Sequence, residues 1–209
     1  MFVITIGNGK GGVGKSTIAC NLAVESAKSG IRTLLVDSDS QQSSMDFRAA
    51  RGDNETLPQF QAISLVKNTI HKDVREFKDF SLIIIDAGGR DTAVFRSALL
   101  ACDTLIIPVL PSQYDIWAAN DTIGILNEAQ AFKDINACFI MNQLIPNAHV
   151  SKEAIDALSQ YNIPVLETRL HARVAYKQSI SEGKGATEYD NGKAAGEITA
   201  LWTEVKKWL

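Results

Sequence analysis

Residues 10–17, Lys10-Gly11-Gly12-Val13-Gly14-Lys15-Ser16-Thr17, combine the residue types that bind phosphate. Counted from Gly9, the spacing Gly-x4-Gly-Lys-Ser fits the phosphate-binding loop pattern. Glycines let successive backbone N–H groups turn toward phosphate oxygens, and the helix expected to follow directs its positive end to the same place. Lys15 would supply charge to the β- and γ-phosphates, and the Ser16 hydroxyl would ligate Mg²⁺. The sequence therefore predicts a nucleotide-binding site.

Carboxylates follow two apolar runs, and the ends of such runs are where an open parallel sheet binds its ligands. Residues 34–36 lead into Asp37 and Asp39, and residues 82–85 lead into Asp86. Asp86 fits the acid that holds Mg²⁺ at the end of a buried strand. Asp37 and Asp39 alternate along the chain, so both could face the phosphates and one could orient the attacking water. Helix or turn capping is the alternative for all three.

The elements that must position these side chains alternate between short β-branched runs and longer helical segments. This alternation predicts an α/β fold, a mostly parallel sheet with helices on both faces. Residues 48–59 are interpreted as a polar surface connection. The expected strands cover residues 2–6, 33–36, 82–85, 104–109, 138–141 and 164–166, and the expected helices cover 15–28, 116–130, 152–160 and 193–207.

Composition restricts the function classes. The 209 residues suit one α/β domain, and the net charge of −3 means that any nucleic-acid contact must come from a local basic patch. No apolar run approaches the ~20 residues of a membrane span, so integral membrane association is not expected. Cys20, Cys102 and Cys138 have no metal-binding or redox spacing and are expected to pack in a core in a reducing cytosol.

The motif K-G-G-x-G-K-[ST], which residues 10–16 match without exception, resembles the deviant Walker A ATPases of the ParA/MinD type. The resemblance implies a P-loop NTPase domain that uses ATP and Mg²⁺ and forms an ATP-dependent homodimer. It also implies that Lys10 reaches across an ATP-sandwiched dimer to the partner's phosphates, whereas Lys15 binds phosphate in its own subunit.

Further segments resemble the same family. "LLVDSDSQQ" at residues 34–42 is similar to its switch I, with Ser40 where proline is usual, and "LIIIDAGG" at residues 82–89 is similar to its switch II, with glycines where two prolines are frequent. The resemblance implies three catalytic residues, Lys10, Lys15 and Asp39, and three metal-binding residues, Ser16, Asp37 and Asp86. The implied nucleotide-binding residues are Gly11, Gly12, Val13, Gly14, Lys15, Ser16, Thr17 and Asn142, the last against adenine.

The chain resembles most closely the short partition ATPases, including in residues 108–118 and 176–190. It starts at the ATPase core, so residues 1–209 are expected to form a single domain without a separate N-terminal DNA-binding domain. The implied function is DNA segregation in the cytoplasm, on the nucleoid, with a centromere-binding or adaptor protein that stimulates hydrolysis. Non-specific DNA contacts would come from a late basic set, for which a solvated helix face is the alternative: Arg169, Arg173, Lys177, Lys184 and Lys193.

Other functions stay open at this point. Apolar residues and two lysines at residues 201–209 fit a MinD-like membrane-cycling ATPase, although packing of this helix on its own sheet is favoured. Positioning of a protein cargo is another possibility. A metabolic phosphate-loop enzyme or reductase is less well supported, because the cysteine positions do not suggest an iron–sulfur site.

Overall fold

The strands form one parallel sheet at whose carboxyl edge the phosphate loop lies. A computed structural model describes residues 1–52, 54–89, 92–145 and 150–209. The strands are β1 Phe2–Ile6, β2 Thr33–Asp37, β3 Gln61–Ser64, β4 Leu82–Asp86, β5 Thr104–Val109, β6 Asn136–Leu144 and β7 Val165–His171. Their order in the sheet, among the described residues, is β3-β2-β4-β1-β5-β6-β7. Both faces of the central strands are covered, which is why the sequences of these strands are nearly continuous apolar runs.

Helices cover both faces of this sheet. Alternate residues of each strand point to opposite sides. Val3 joins the core under the helices between residues 70 and 158, whereas Ile4 joins the core under the helices within residues 15–51 and 186–205. The helices are α1 Lys15–Lys28, α2 Ser43–Arg51, α3 Ile70–Asp73, α4 Ala93–Ala101, α5 Gln113–Gln130, α6 Val150–Leu158, α7 Val174–Ser181, α8 Ala186–Tyr189 and α9 Lys193–Val205. The predicted α/β class with helices on both faces is confirmed.

The six predicted strands and four predicted helices are present, with shifted ends. β6 and β7 extend beyond the predictions, α5 begins at Gln113, and α9 gives way to a 3₁₀ turn after Val205. β3 was missed because it is a four-residue edge strand with no buried residue, and such a strand has little apolar pattern. The three cysteines are buried as expected.

The interpretation of residues 48–59 as a surface connection is wrong at its beginning. α2 runs to Arg51, whose guanidinium is buried and forms a fork with both carboxylate oxygens of Glu188 at 2.7 and 2.8 Å. It also donates to the carbonyls of Pro58 and Gly183. An arginine at a helix end is expected on the polar surface, because arginine is seldom fully buried unless it is paired. The partner of Arg51, Glu188, lies 137 residues away, so the local sequence does not indicate the pair.

The C-terminal helix α9 packs on the sheet, as favoured from the sequence. Leu201, Trp202 and Val205 are buried, and the Trp202 indole donates to Ser29 Oγ at 2.9 Å. Two carboxylates of α9 also satisfy backbone N–H groups of the edge strand β7: Glu204 accepts from Glu167 and Thr168, and Glu197 accepts from His171. Among the described residues no helix combines the length and apolar character needed to cross a bilayer.

Candidate nucleotide site

The loop between β1 and α1 forms the wall of a cavity of about 870 Å³. Gly12 and Gly14 have φ angles of 76° and 91°, in the left-handed region that favours glycine. At Gly14 a β-carbon would also lie only 2.2 Å from Asn142 Nδ2. The cavity is lined from the loop side by Gly9, Gly11, Gly12, Gly14, Lys15, Ser16 and Thr17, and from the opposite side by Asp39, Ser40, Gln41, Ser43, Gly89 and Thr92.

Side chains from distant elements hold this loop in place. Asn8 donates to the Pro108 carbonyl at 2.7 Å and accepts from the backbone N–H of Lys10 at 2.9 Å. Thr122 Oγ1 accepts from the N–H of Gly9, and Gln143 Nε2 donates to the Gly12 carbonyl. Sequence reasoning missed these residues, since only the fold brings β5, β6 and α5 beside the loop.

Lys15 is a buried cation within this cavity. Its ammonium lies 3.0 Å from the carbonyl oxygen of Lys10 and close to Gly89, where a β-carbon would come within 3.5 Å of it. Burial lowers the pKa of Lys15, and the carboxylates of Asp86 and Asp39 oppose that shift. A desolvated ammonium at the centre of a glycine-rich loop gains strongly from an anion, which fits its predicted contact with phosphate.

Asp86 and Asp37 lie side by side because β2 and β4 pair in parallel register at these two residues. Burial raises the pKa of Asp86 to about 7, although hydrogen bonds from the Ser44 and Ser16 hydroxyls and the nearby Lys15 oppose the shift. Ser44 Oγ donates to Asp86 Oδ2 at 2.7 Å, whereas Oδ1 is buried without a hydrogen-bond donor among the described residues.

This orphaned oxygen fits a metal ion. A buried carboxylate oxygen that lacks a donor gains most from a hard cation. Ser16, whose side chain lies beside Asp86, lines the phosphate cavity. Ser16 and Asp86 are therefore the residues that would hold Mg²⁺, which neutralises phosphate charge when bound.

Asp37 and Asp39 have different surroundings. Asp37 accepts from the N–H groups of Asp39, Ser44 and Met45 at 2.9–3.1 Å, so it caps the start of α2, which was the alternative interpretation. Its contact with a metal stays a prediction. Asp39 forms a turn by accepting from the Gln41 N–H at 3.0 Å, and it lines the phosphate cavity, as a residue that orients water must.

A second cavity of about 310 Å³ adjoins the loop at Gly14 and Thr17. Asn142 lies on its wall at the end of β6, where its amide donates to the Val13 carbonyl at 2.7 Å and accepts from the Gln143 N–H. Its predicted contact with adenine stays a prediction. His171, Arg173, Tyr176 and Lys177 line the opposite wall.

Three of these wall residues converge on Glu197 of α9. Its carboxylate accepts from Arg173 at 2.5 and 2.9 Å and from the Tyr176 hydroxyl at 2.9 Å, and it lies 2.8 Å from His171 Nδ1. Burial alone would raise the pKa of Glu197, but these hydrogen bonds outweigh it and lower the pKa. The set Glu197, His171, Arg173 and Tyr176 is called the Glu197 cluster below.

The late basic residues are not one continuous patch of unpaired charge. Arg173 belongs to the Glu197 cluster, Arg169 donates to the carbonyls of Thr168 and Leu166, and Lys184 pairs with Glu182 at 2.9 Å. Lys177 and Lys193 are exposed. DNA binding by these five residues stays a prediction.

Lys10 has a partner that the sequence did not indicate. Its ammonium lies 2.7 Å from Asp115 Oδ1, in the first turn of α5. The side chains on the wall of the phosphate cavity, within the described ranges, do not include Lys10.

A parallel sheet with a glycine-rich loop and a Lys-Ser pair at its carboxyl edge defines a P-loop nucleotide-binding protein. The CobQ/CobB/MinD/ParA nucleotide binding domain matches residues 4–186, and the chain belongs to that family. It is an ATPase of the ParA/MinD type.

Individual relatives cover nearly the whole chain. "Maintenance of carboxysome distribution protein A" of Halothiobacillus neapolitanus is 28% identical over 98% of this chain and 96% of its own length. Protein ParA of Rhizobium radiobacter is 25% identical over 88% of this chain and 84% of its own. The solved structure of the MinD cell division protein of Aquifex aeolicus has a TM-score of 0.81 and 21% identity, covering 99% of this chain and 97% of that one.

Proposed function

We propose that this ATPase positions a cargo by cycling on and off DNA: ATP drives formation of a homodimer, the dimer binds DNA without sequence preference, and a partner protein stimulates hydrolysis and release. The first candidate cargo is a DNA molecule that must be segregated. The observation that carries the proposal is the phosphate cavity, which is lined by Lys15 and Asp39. The donor-less oxygen of Asp86 belongs to a carboxylate close to Lys15. Binding of Mg-ATP stabilises such a site, so the nucleotide can control whether the protein forms the dimer.

The residues would share the reaction as follows. Lys15, the loop N–H groups and Ser16 bind the β- and γ-phosphates, and Asp86 and Asp37 complete the metal side of the site. Asp39 orients a water whose oxygen attacks the γ-phosphorus, and the bond to the leaving oxygen of ADP breaks as that attack proceeds. Asn142 and the second cavity would receive the nucleoside, which is supported by the position of this cavity beside the phosphate loop.

A protein assembly is the second candidate cargo. It is favoured by the relative named for carboxysome distribution, which aligns over 98% of the chain. The two candidates share the ATPase cycle and differ in the partner that stimulates it.

The C-terminal helix favours DNA over a lipid surface as the matrix for this cycle. Leu201, Trp202 and Val205 are buried in the core, which leaves no apolar stripe of α9 for insertion between lipids.

Two experiments test the proposal. Binding to arbitrary duplex DNA and to anionic vesicles is measured with ATP and with ADP; ATP-dependent DNA binding that falls steeply with salt is expected. Equal DNA affinity with both nucleotides, or ATP-dependent binding to vesicles alone, would refute the role of DNA. Deletion of the gene then separates the cargoes, because loss of a replicon indicates DNA and misplaced particles with stable replicons indicate a protein assembly.

A further inference from the structure

Strand β6 ends beside the phosphate loop in a bulge. The pairing of β6 with β7 shifts between Met141 and Leu144, so that two residues of β6, Asn142 and Gln143, lie opposite one residue of β7. Gln143 adopts a φ of 55°, in the left-handed region that is unfavourable for a residue with a side chain. Bulges redirect side chains and are frequent next to functional sites, where backbone strain is retained for a purpose.

At this bulge two successive side chains reach the same loop, whereas side chains of a regular strand alternate between its faces. Asn142 Nδ2 donates to the Val13 carbonyl at 2.7 Å, and Gln143 Nε2 donates to the Gly12 carbonyl at 2.9 Å. Only one orientation of the Asn142 amide fits, because its Oδ1 accepts from the Gln143 N–H at 2.8 Å. Asn142 and Gln143 are called the amide clamp below.

The amide clamp fixes two consecutive peptide groups of the loop. In a planar trans peptide the carbonyl and the N–H point in opposite directions. Because the carbonyls of Gly12 and Val13 point to the end of β6, the N–H groups of Val13 and Gly14 point to the other side of the loop. Neither N–H is hydrogen-bonded to a loop carbonyl in the described part of the chain, which leaves both available to an anion.

Packing alone does not hold this conformation. A β-carbon on Gly12, whose φ is 76°, would meet no heavy atom within 4 Å apart from those of its chain neighbours. A glycine in open space has many accessible conformations, and a loop that orders only on binding loses affinity. The hydrogen bond from Gln143 therefore takes the place of packing at Gly12.

We infer that the amide clamp positions the Val13 and Gly14 N–H groups for the phosphates of ATP, which makes Gln143 a positioning residue of the phosphate site. The inference rests on the proposed binding of the ATP phosphates by this loop. It gives Asn142 a role toward the phosphates beside its predicted contact with adenine. Loss of either amide should then weaken the binding of the phosphates themselves.

The test compares calorimetric titrations with ATP and with inorganic tripolyphosphate, which has the phosphates but no base, each with Mg²⁺. Gln143→Met, a side chain of similar size without a donor, should weaken both ligands about 2–10-fold, the contribution of one neutral hydrogen bond. Asn142→Ala should weaken both at least about tenfold, because it removes a buried amide and two hydrogen bonds. Gln160→Met, at an exposed glutamine in the turn after α6, is the matched control and should change neither.

Gln143→Gly separates phosphate binding from stability. Glycine accepts a φ of 55° without strain, so this variant should unfold at a higher temperature than Gln143→Met. It also lacks the amide donor, so it should bind both ligands no more tightly than Gln143→Met. A purely structural role of Gln143 would instead leave phosphate affinity unchanged in both variants.

The outcomes distinguish this inference from the proposed function. A wild-type protein that binds neither ATP nor tripolyphosphate would refute the proposed phosphate site and the inference together. The inference alone would be overturned if the clamp variants lost ATP affinity yet bound tripolyphosphate normally, because both residues would then act on the nucleoside.

Two further results would overturn the inference alone. One is a wild-type protein that binds ATP but not tripolyphosphate, since a preformed loop must bind the phosphates by themselves. The other is normal binding of both ligands by Gln143→Met and Gln143→Gly. Thermal unfolding shows whether each variant is folded, and the two Gln143 variants decide the test by themselves if Asn142→Ala is not.

Discussion

The phosphate edge of the sheet and the region between β7 and α9 both contain buried or half-buried charges, but the two regions differ in how completely these charges are hydrogen-bonded. At the phosphate edge, Lys15 is desolvated and Asp86 has an oxygen with no donor in the described part of the chain. Between β7 and α9, each oxygen of Glu197 accepts hydrogen bonds, and the backbone N–H groups of the edge strand are satisfied by Glu204.

The difference indicates where a ligand is needed. A buried charge without its full set of partners costs stability until a ligand supplies them, whereas a fully paired cluster gains nothing from one. The phosphate edge is therefore built for Mg-ATP, and the Glu197 cluster is built to fix the wall of the second cavity. Four substitutions test this contrast, from the largest expected effect to the smallest.

Lys15→Ala should cause the largest loss. The principal side-chain cation at the phosphates disappears, and ATP affinity should fall by at least about 100-fold, the scale of two charge-assisted hydrogen bonds. Calorimetric titration with ATP measures it. Lys184→Ala, which removes a cation paired with Glu182 outside the cavity, is the control; micromolar binding by Lys15→Ala would contradict the assigned role.

Asp39→Ala should slow hydrolysis by about 100-fold while leaving ATP affinity within a few fold, because orienting water acts on the chemical step. Phosphate release under single-turnover conditions measures this. Asp46→Ala, an exposed carboxylate on α2, should hydrolyse normally. If Asp39→Ala also turned over at the wild-type rate, the water would be oriented by another group.

Asp86→Asn should stabilise the nucleotide-free protein at pH 8. Because the pKa of Asp86 is raised to about 7, the folded state holds a proton that the unfolded chain releases near pH 4, so wild-type stability falls as the pH rises between these values. Asparagine avoids this loss, and Tm should rise by about 2–4 °C for each kcal/mol gained in the free energy of unfolding. The gain should shrink toward pH 4, and added Mg-ATP should stabilise the variant less than the wild type. A lower Tm than wild type at pH 8 would refute an unpaired Asp86 charge.

Arg173→Ala should have the smallest effect, a loss of about 1 kcal/mol in the free energy of unfolding, because Glu197 keeps His171 and Tyr176 as partners. Lys193→Ala, at an exposed position, should leave stability unchanged. Urea unfolding compares the two. If Arg173 and Lys193 both bind DNA, each substitution should reduce the slope of log DNA affinity against log salt concentration by about one unit. A loss of stability with an unchanged slope would restrict Arg173 to a structural role.

The sequence by itself determined the phosphate loop, the acids at the ends of β2 and β4, and the alternation of strands and helices. These features are local: the loop needs its glycines, lysine and serine at fixed spacing, and a buried strand needs a continuous apolar run. Residues 10–16 therefore predicted a phosphate-binding loop, and residues 82–85 predicted one buried strand of the sheet. The short edge strand β3 carried too little pattern to be found.

Only the tertiary structure decided which partner each charge has. Arg51 is buried against Glu188, although the sequence favours a surface position for it. Asp37 caps α2 by accepting from two backbone N–H groups of that helix. Lys10 pairs with Asp115 from another element. A charge is stabilised by whatever lies within a few ångströms of it, and in a parallel sheet those neighbours come from strands and helices far apart in the chain. Spacing along the sequence contains no record of such pairs, so their identity had to come from the fold.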